Sequence, residues 1–155
     1  MIGKQEHQIW ALLKTYYTEN PGLRAEPATQ DDIASAEQVL NIKFSKEYKK
    51  FLSLYGGGAI DPAYVYGLKR AKFMPHNHWS MIEHTKTFRA IAYPNLEHVY
   101  VVGDEGDGNL LLLDRQGTAW IYNLSDNDNQ DEESDIVHLE EIATDFEDLL
   151  YRLLT

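Results

Sequence analysis

The stretch that decides the fold runs from Thr29 to Gly58 and reads TQDDIASAEQVLNIKFSKEYKKFLSLYGGG. Its first part begins with Thr29 and Asp32, a T-x-x-D pattern that caps a helix start. Apolar residues then recur at helical spacing, and Asn41 suits the left-handed position that ends a helix. This half therefore predicts one capped amphipathic helix.

The second part of the stretch predicts another helix with a sharp end. Ser45 suits its N-cap, and Gly56 suits the left-handed position after its last turn. One face of this helix is apolar and carries Tyr48, Phe51, Leu52 and Tyr55. A phosphate-binding loop opens a helix, whereas these glycines close one, so we interpret them as a helix stop followed by a flexible exit at Gly57 and Gly58.

Outside this stretch, the apolar periodicity changes from helical to strand-like and back. The further predicted elements are a helix over 5–18, a strand over 63–68, a helix over 81–90, strands over 98–102, 110–113 and 118–122, and a final helix capped by the T-x-x-E pair Thr144 and Glu147. The residues expected to place this final helix on the core are Ile142, Phe146, Leu149, Leu150 and Leu153. Asp114 to Gly117 form a hairpin signal. This order predicts an α+β fold in which an antiparallel β-sheet is flanked by N-terminal helices and a C-terminal helix, as a single domain over residues 1–155.

Bulk properties are those of a soluble globular domain. The 155 residues contain no cysteine, which excludes disulfides, thiol catalysis and thiolate metal sites. There is no apolar run of the ~18 residues that a membrane helix needs. The N-terminus lacks the pattern of a secretion signal. We therefore expect a cytoplasmic protein.

The negative charge is concentrated in the last third of the chain. Residues 1–100 hold 12 Lys and Arg against 10 Asp and Glu, whereas residues 101–155 hold 2 against 15. Such a field repels nucleic acid and anionic membranes and speeds association with a basic partner. The alternative is that the charge only keeps the protein soluble.

No motif for catalysis or for metal binding is complete. The loop from Gly103 to Asn109 resembles a calcium loop, but no register places the required ligands and glycine together. His76 and His78 form an H-x-H pair without a third ligand at a diagnostic spacing. There is also no G-x-S-x-G element. We therefore expect no enzyme activity, no metal site and no cofactor.

Several motifs in sequence order resemble the SUKH superfamily, the Smi/Knr-like domain. The resemblance rests on the run from Ile33 to Gly57, on the strand, G-D-G loop and strand from Val99 to Leu110, on the Gly117–Tyr122 hairpin and on the closing helix from Asp145 to Leu150. It covers about residues 29–150, and the helix within residues 1–20 is additional to it. Ser45 stands where the family usually has proline, and both residues favour a helix start.

The resemblance implies a protein-binding domain without known catalysis. Bacterial members are similar to immunity proteins that bind and neutralise a cognate polymorphic toxin, often a nuclease. Fungal members resemble regulators that act through protein contacts, which keeps a regulatory or scaffold domain as the alternative. A nuclease toxin is expected to be basic, so we predict that an acidic surface binds it. The predicted partner-binding residues are Asp104, Glu105, Asp107, Asp126, Asp128, Asp131, Glu132, Glu133 and Asp135.

Aromatic residues raise a second question about binding. Anchoring aromatics beside an acidic rim are a workable chemistry for an interface, although core packing is the commoner role. The candidates are Tyr64, Tyr66, Trp79, Tyr93 and Trp120. The oligomeric state is left open by the sequence.

Overall fold

The computed structural model describes residues 2–76, 78–92, 96–123 and 138–155. Helices lead the chain, strands dominate its middle and a helix closes it. The α-helices are α1 (Ile2–Glu19), α2 (Gln30–Leu40), α3 (Lys46–Tyr55), α4 (Met81–Ala92) and α5 (Phe146–Leu154), with a short 3₁₀ helix at Pro21–Leu23. The strands are β1 (Gly58–Ile60), β2 (Ala63–Val65), β3 (Val99–Asp104), β4 (Leu110–Asp114), β5 (Ala119–Tyr122) and β6 (Glu140–Ala143).

The six strands form one antiparallel sheet in which each strand pairs with the next one along the chain. Antiparallel neighbours can be joined by short turns, as β1 and β2 are, whereas the connection between β2 and β3 is longer and contains α4. The register of β3 against β4 shifts between Val101 and Gly103. The predicted α+β class with an antiparallel sheet and terminal helices is therefore confirmed.

The caps of the two-helix segment follow the sequence chemistry. Asp32 N donates to Thr29 Oγ1 at 3.0 Å and Thr29 N donates to Asp32 Oδ2 at 2.9 Å, which completes the capping box. Asn41 ends α2 with a φ of +53°. Tyr48 N donates to Ser45 Oγ at 3.2 Å at the start of α3. Local hydrogen bonding thus fixes both helices where the sequence predicted them.

Helix α3 is attached to the sheet and to α5 through Tyr48. Its ring centroid lies 5.7 Å from that of Tyr100 in β3 and 5.2 Å from that of Phe146 in α5. Its hydroxyl donates to the carbonyl oxygen of Tyr66 at 2.7 Å, which satisfies a polar group in a fully buried position. The predicted apolar face of α3 is therefore core, and it joins three elements.

Three local predictions need correction. Gly58 is buried and begins β1, paired with Val65, so the expected flexible exit is a short strand. The predicted strand over 63–68 ends at Val65. Ile142, expected in the last helix, lies in β6. Strands β1 and β6, of three and four residues, were not predicted, because pairing with a neighbouring strand defines them more than their own sequence pattern does.

The cap of α5 is also displaced by one residue from the predicted box. Asp145 is the N-cap, and Asp148 N donates to its Oδ1 at 2.8 Å. Thr144 contributes in the opposite direction, since its N–H donates to Asp148 Oδ2 at 3.0 Å. Aspartate caps a helix at least as well as threonine, which explains the shift.

Candidate protein-interaction site

The acidic loop, residues 103–109, connects β3 to β4 and contains three of the predicted partner-binding residues. Asp104 Oδ1 accepts hydrogen bonds from the backbone N–H groups of Gly106 and Gly108, the second at 3.1 Å. Its other oxygen accepts from the Tyr66 hydroxyl at 3.3 Å. The Asp104 carboxylate is therefore engaged in shaping the loop and anchoring it to the core.

Close backbone packing fixes the position of the acidic loop at the end of strands β3 and β4. Gly106 has a φ of +104°, a conformation that favours glycine, and a Cβ there would overlap the carbonyl oxygen of Pro62. Pro62 belongs to the turn between β1 and β2. The acidic loop thus lies directly against that turn.

The other two acids of the loop differ in their exposure. Asp107 is exposed, and its carboxylate accepts from the N–H of Asn109 at 3.0 Å. Glu105 is half-buried and lines a cavity of about 240 Å³ together with Arg152 and Leu149. Burial, reinforced by the nearby Asp107 charge, raises the pKa of Glu105 above its ordinary value. Asp107 is therefore the loop acid that offers its charge most fully to solvent.

An aromatic groove lies on the other side of the β1–β2 turn. It encloses about 570 Å³. Its lining residues are Tyr16, Asn20, Leu23, Ala59, Asp61, Pro62, Ala63, Tyr64 and Phe73. Pro62 is in the groove and also touches the acidic loop, and Tyr64 of β2 is the register partner of Asp104. The aromatic groove and the acidic loop are therefore adjacent and form one continuous surface.

Phe73 is the least buried aromatic side chain of this surface. It is 65% exposed, although its ring rests on Gly22, where a Cβ would overlap it. Tyr16 is half-buried and holds the turn, since its hydroxyl accepts from Asp61 N at 3.0 Å. Among the described lining residues, the groove contains one carboxylate, that of exposed Asp61, and Lys72 Nζ lies 5.8 Å from the centroid of the Phe73 ring. An exposed phenylalanine in such a groove has the chemistry of an interface anchor.

The aromatic residues singled out from the sequence have mixed positions. Tyr64 is half-buried in the groove, whereas Tyr66 is buried. Trp79 and Trp120 are half-buried and pack against the core, and Trp120 Nε1 donates to Asp114 at 2.9 Å. Tyr93 lies outside the described residues. The sequence did not point to Phe73 or Tyr16 as site residues, because Phe73 lies in an irregular segment and Tyr16 matched a helical core pattern.

The remaining predicted partner-binding acids lie outside the described residues. They are Asp126, Asp128, Asp131, Glu132, Glu133 and Asp135. Their contribution to an acidic surface stays a prediction.

His78, a member of the H-x-H pair, and His84 form a stacked group with Tyr66. The His84 ring lies parallel to the Tyr66 ring at a centroid distance of 3.9 Å, and the His78 ring follows at 5.8 Å. Burial lowers the pKa of His84, and the neighbouring His78 acts in the same direction. Within the described parts of the chain, no three His, Asp or Glu side chains converge as possible metal ligands.

The fold and this surface place the protein in a structural class. It is an α+β domain in which a six-stranded antiparallel meander is combined with capped helices, and it presents a mixed acidic and aromatic face. A family model described as the SMI1 / KNR4 family (SUKH-1) matches residues 27–152. The chain belongs to this family, which confirms the resemblance inferred from its motifs. No curated protein matches the chain. Among the described helices, none combines the length and apolarity required to cross a membrane.

Proposed function

We propose that this protein is a cytoplasmic, non-catalytic immunity protein that binds and neutralises a cognate toxin. In this proposal, the acidic loop and the aromatic groove form the contact surface. The observation that carries it is that Pro62 lines the aromatic groove together with the largely exposed Phe73 and also lies against Gly106, which separates half-buried Glu105 from exposed Asp107 in the acidic loop. Family membership supports a protein partner, and the excess of carboxylates after residue 100 favours a basic one.

The aromatic groove supplies the affinity in this proposal. Exposed Phe73 contributes little to folding, because most of its apolar area already faces water in the free protein. Burial under a partner would remove that area from water, and such central anchors often carry about 2 kcal/mol or more of binding energy. This predicts a residue whose loss affects binding far more than stability.

The acidic loop supplies orientation and speed. Its charges lie beside the groove, so they meet the rim of a docked partner, where electrostatic contacts act mainly on the association rate. A toxin that cleaves nucleic acid presents a basic groove, and a carboxylate-rich surface is complementary to it. We therefore propose a nuclease as the class of toxin that fits best, with association that slows as salt concentration rises.

The test is co-expression of this chain with the large open reading frame next to its gene, scored by rescue of growth. Phe73→Ala is expected to weaken the complex by roughly 30-fold, the equivalent of about 2 kcal/mol. The matched control is Ile91→Ala, which truncates a side chain that is 71% exposed on α4, away from the groove. Equal affinities of the two variants would contradict the role of the aromatic groove.

A second pair of variants tests the acidic loop. Asp107→Lys is expected to lower the association rate several-fold and to flatten its dependence on salt. Glu97→Lys makes the same charge change in the turn before β3, at the far end of the strand that leads into the loop. If both variants slow association equally, the effect comes from net charge alone. If no neighbouring toxin is neutralised at all, the regulatory alternative replaces the immunity proposal.

A further inference from the structure

A second concave surface lies between α1 and α3, and none of the described residues that line it belongs to the acidic loop. This basic groove encloses about 600 Å³, and its lining includes Trp10, Lys14, Tyr17, Arg24, Leu54 and Tyr55. The α1 members follow helical spacing, so they share one face of that helix. The ring of Tyr17 packs against that of Tyr55 at a centroid distance of 4.8 Å and joins the two helices behind the groove.

The floor of the basic groove is apolar and partly exposed. Trp10 is half-buried, and Leu54 is 42% exposed at the surface of α3. An indole ring beside an exposed leucine is the kind of surface that accepts one apolar side chain of a partner.

The rim of the basic groove is cationic. Lys50 Nζ lies 4.5 Å from the centroid of the Trp10 ring, and the Arg24 guanidinium lies 6.0 Å from that of Tyr55. Lys14 is exposed on α1. Among the described residues, the ion pairs are Lys43 with Glu37 and Lys69 with Asp32, so none of the three rim cations is paired with a carboxylate there.

These cations contrast with the charge of the whole protein, which is −11. Lys14, Arg24 and Lys50 have no ion pair within the described residues and lie around one groove, where the charge is locally the reverse of that of the whole protein. Long-range repulsion by the acidic third of the chain, residues 101–155, acts strongly on a long polyanion such as nucleic acid. A short acidic segment is affected less, because charges beyond the Debye length of about 8 Å are screened at physiological salt.

We propose that the basic groove is a second docking site, which binds an acidic segment of a partner protein that carries an apolar side chain between its carboxylates. The apolar side chain would contact Trp10 and Leu54. The cations belong to α1, to the segment after the 3₁₀ helix and to α3, so carboxylates spaced along a peptide can meet all of them. A ligand with a single carboxylate would pair with only one of these cations. This site is independent of the acidic loop and has the opposite charge preference.

The test uses a fluorescein-labelled synthetic peptide of repeated Glu-Leu-Glu-Phe, titrated by anisotropy against the full chain. Binding at the groove is expected to shift the indole N–H resonance of Trp10, identified with Trp10→Phe, while those of Trp79 and Trp120 stay in place. Lys14→Glu is expected to weaken binding at least fivefold, since it replaces an attraction with a repulsion. Because Lys14 is exposed, this variant leaves the fold intact.

The matched control is Lys86→Glu, which reverses an exposed lysine on α4. It is expected to change peptide affinity by less than twofold. Equal losses for both variants, or a Trp10 resonance that does not move at saturation, would overturn the proposal. Indole-3-acetate provides the other arm: if it shifts Trp10 and the peptide does not, the groove takes a small aromatic anion and the peptide assignment is wrong. Toxin neutralisation by Lys14→Glu should match that of the unaltered protein, which separates failure of this site from failure of the proposed immunity function.

Discussion

Replacing Asp104 with alanine tests whether the acidic loop is held in shape by one of its own carboxylates. The substitution removes three acceptor contacts: those to the N–H groups of Gly106 and Gly108 and that to the Tyr66 hydroxyl. A hydrogen bond of this kind contributes about 1 kcal/mol net, and more where the acceptor is charged. Water can replace the carboxylate at exposed Gly106 but less readily at the buried side of Tyr66. We therefore expect Asp104→Ala to lower the free energy of unfolding by about 2 kcal/mol.

The assay is urea denaturation followed by tryptophan fluorescence. With a urea dependence of about 2 kcal/mol per molar, the unfolding midpoint should fall by roughly 1 M. Asp107→Ala removes a carboxylate of the same loop that is exposed and, within the described parts of the chain, accepts hydrogen bonds from Asn109 alone, so its midpoint should fall by less than half as much. Tyr66→Phe completes a double-mutant cycle, in which coupling with Asp104→Ala is expected. Equal midpoints for the Asp104 and Asp107 variants would refute the structural role of Asp104.

Two further substitutions, each with a control, test the backbone at Gly56 and the half-buried His84. Gly56→Ala should cost at least about 3 kcal/mol of stability, because its φ is +71° and a Cβ would overlap the carbonyl oxygen of Glu26. Gly117→Ala should cost only about 1–2 kcal/mol by the same denaturation assay, because its φ is +91° but a Cβ there would meet Ser45 Cβ at 3.7 Å, an ordinary contact distance. The pKa of His84 is lowered by burial, so its contribution to stability is complete above its unfolded pKa of about 6.5 and is lost as the pH falls through its lower folded pKa. His84→Phe should therefore reduce the loss of stability between pH 7.5 and pH 5. The control His76→Gln, at an exposed site, should follow the unaltered protein. Identical pH profiles for all three proteins would contradict the contribution of His84 to acid destabilisation.

The elements that were predictable from the sequence are those specified by local chemistry. The capping box of Thr29, the left-handed Asn41 and the Ser45 cap each involve side chains within a few residues of the groups they satisfy. The hairpin turn ending at Gly117 is of the same kind, since its positive φ requires a residue such as glycine. The helices and turns were therefore predictable mainly because short-range hydrogen bonds define their ends.

The elements that the sequence did not reveal depend on partners outside their own segment. Strand β1 has three residues and exists because β2 pairs with it, and β6 likewise depends on β5. The aromatic groove brings together Tyr16 from α1, Pro62 from a turn and Phe73 from an irregular segment. No periodicity within one segment marks such a surface, because its members become neighbours only after the sheet has formed.

Individual aspartates differ in whether their carboxylate oxygens are already occupied by hydrogen bonds within the protein. Asp114 accepts hydrogen bonds from the N–H groups of Gln116 at 2.9 Å and Thr118 at 3.0 Å and from Trp120 Nε1 at 2.9 Å. Its carboxylate therefore stabilises the hairpin between β4 and β5. Asp104 is engaged in a similar way within the acidic loop. Both still contribute to the long-range field that attracts a basic partner, because a hydrogen-bonded carboxylate keeps its charge. Direct contact needs free acceptor positions, which exposed Asp107 offers more readily. Association rate should therefore follow the total charge of the acidic third, whereas complex lifetime should depend on the few exposed acids and on Phe73.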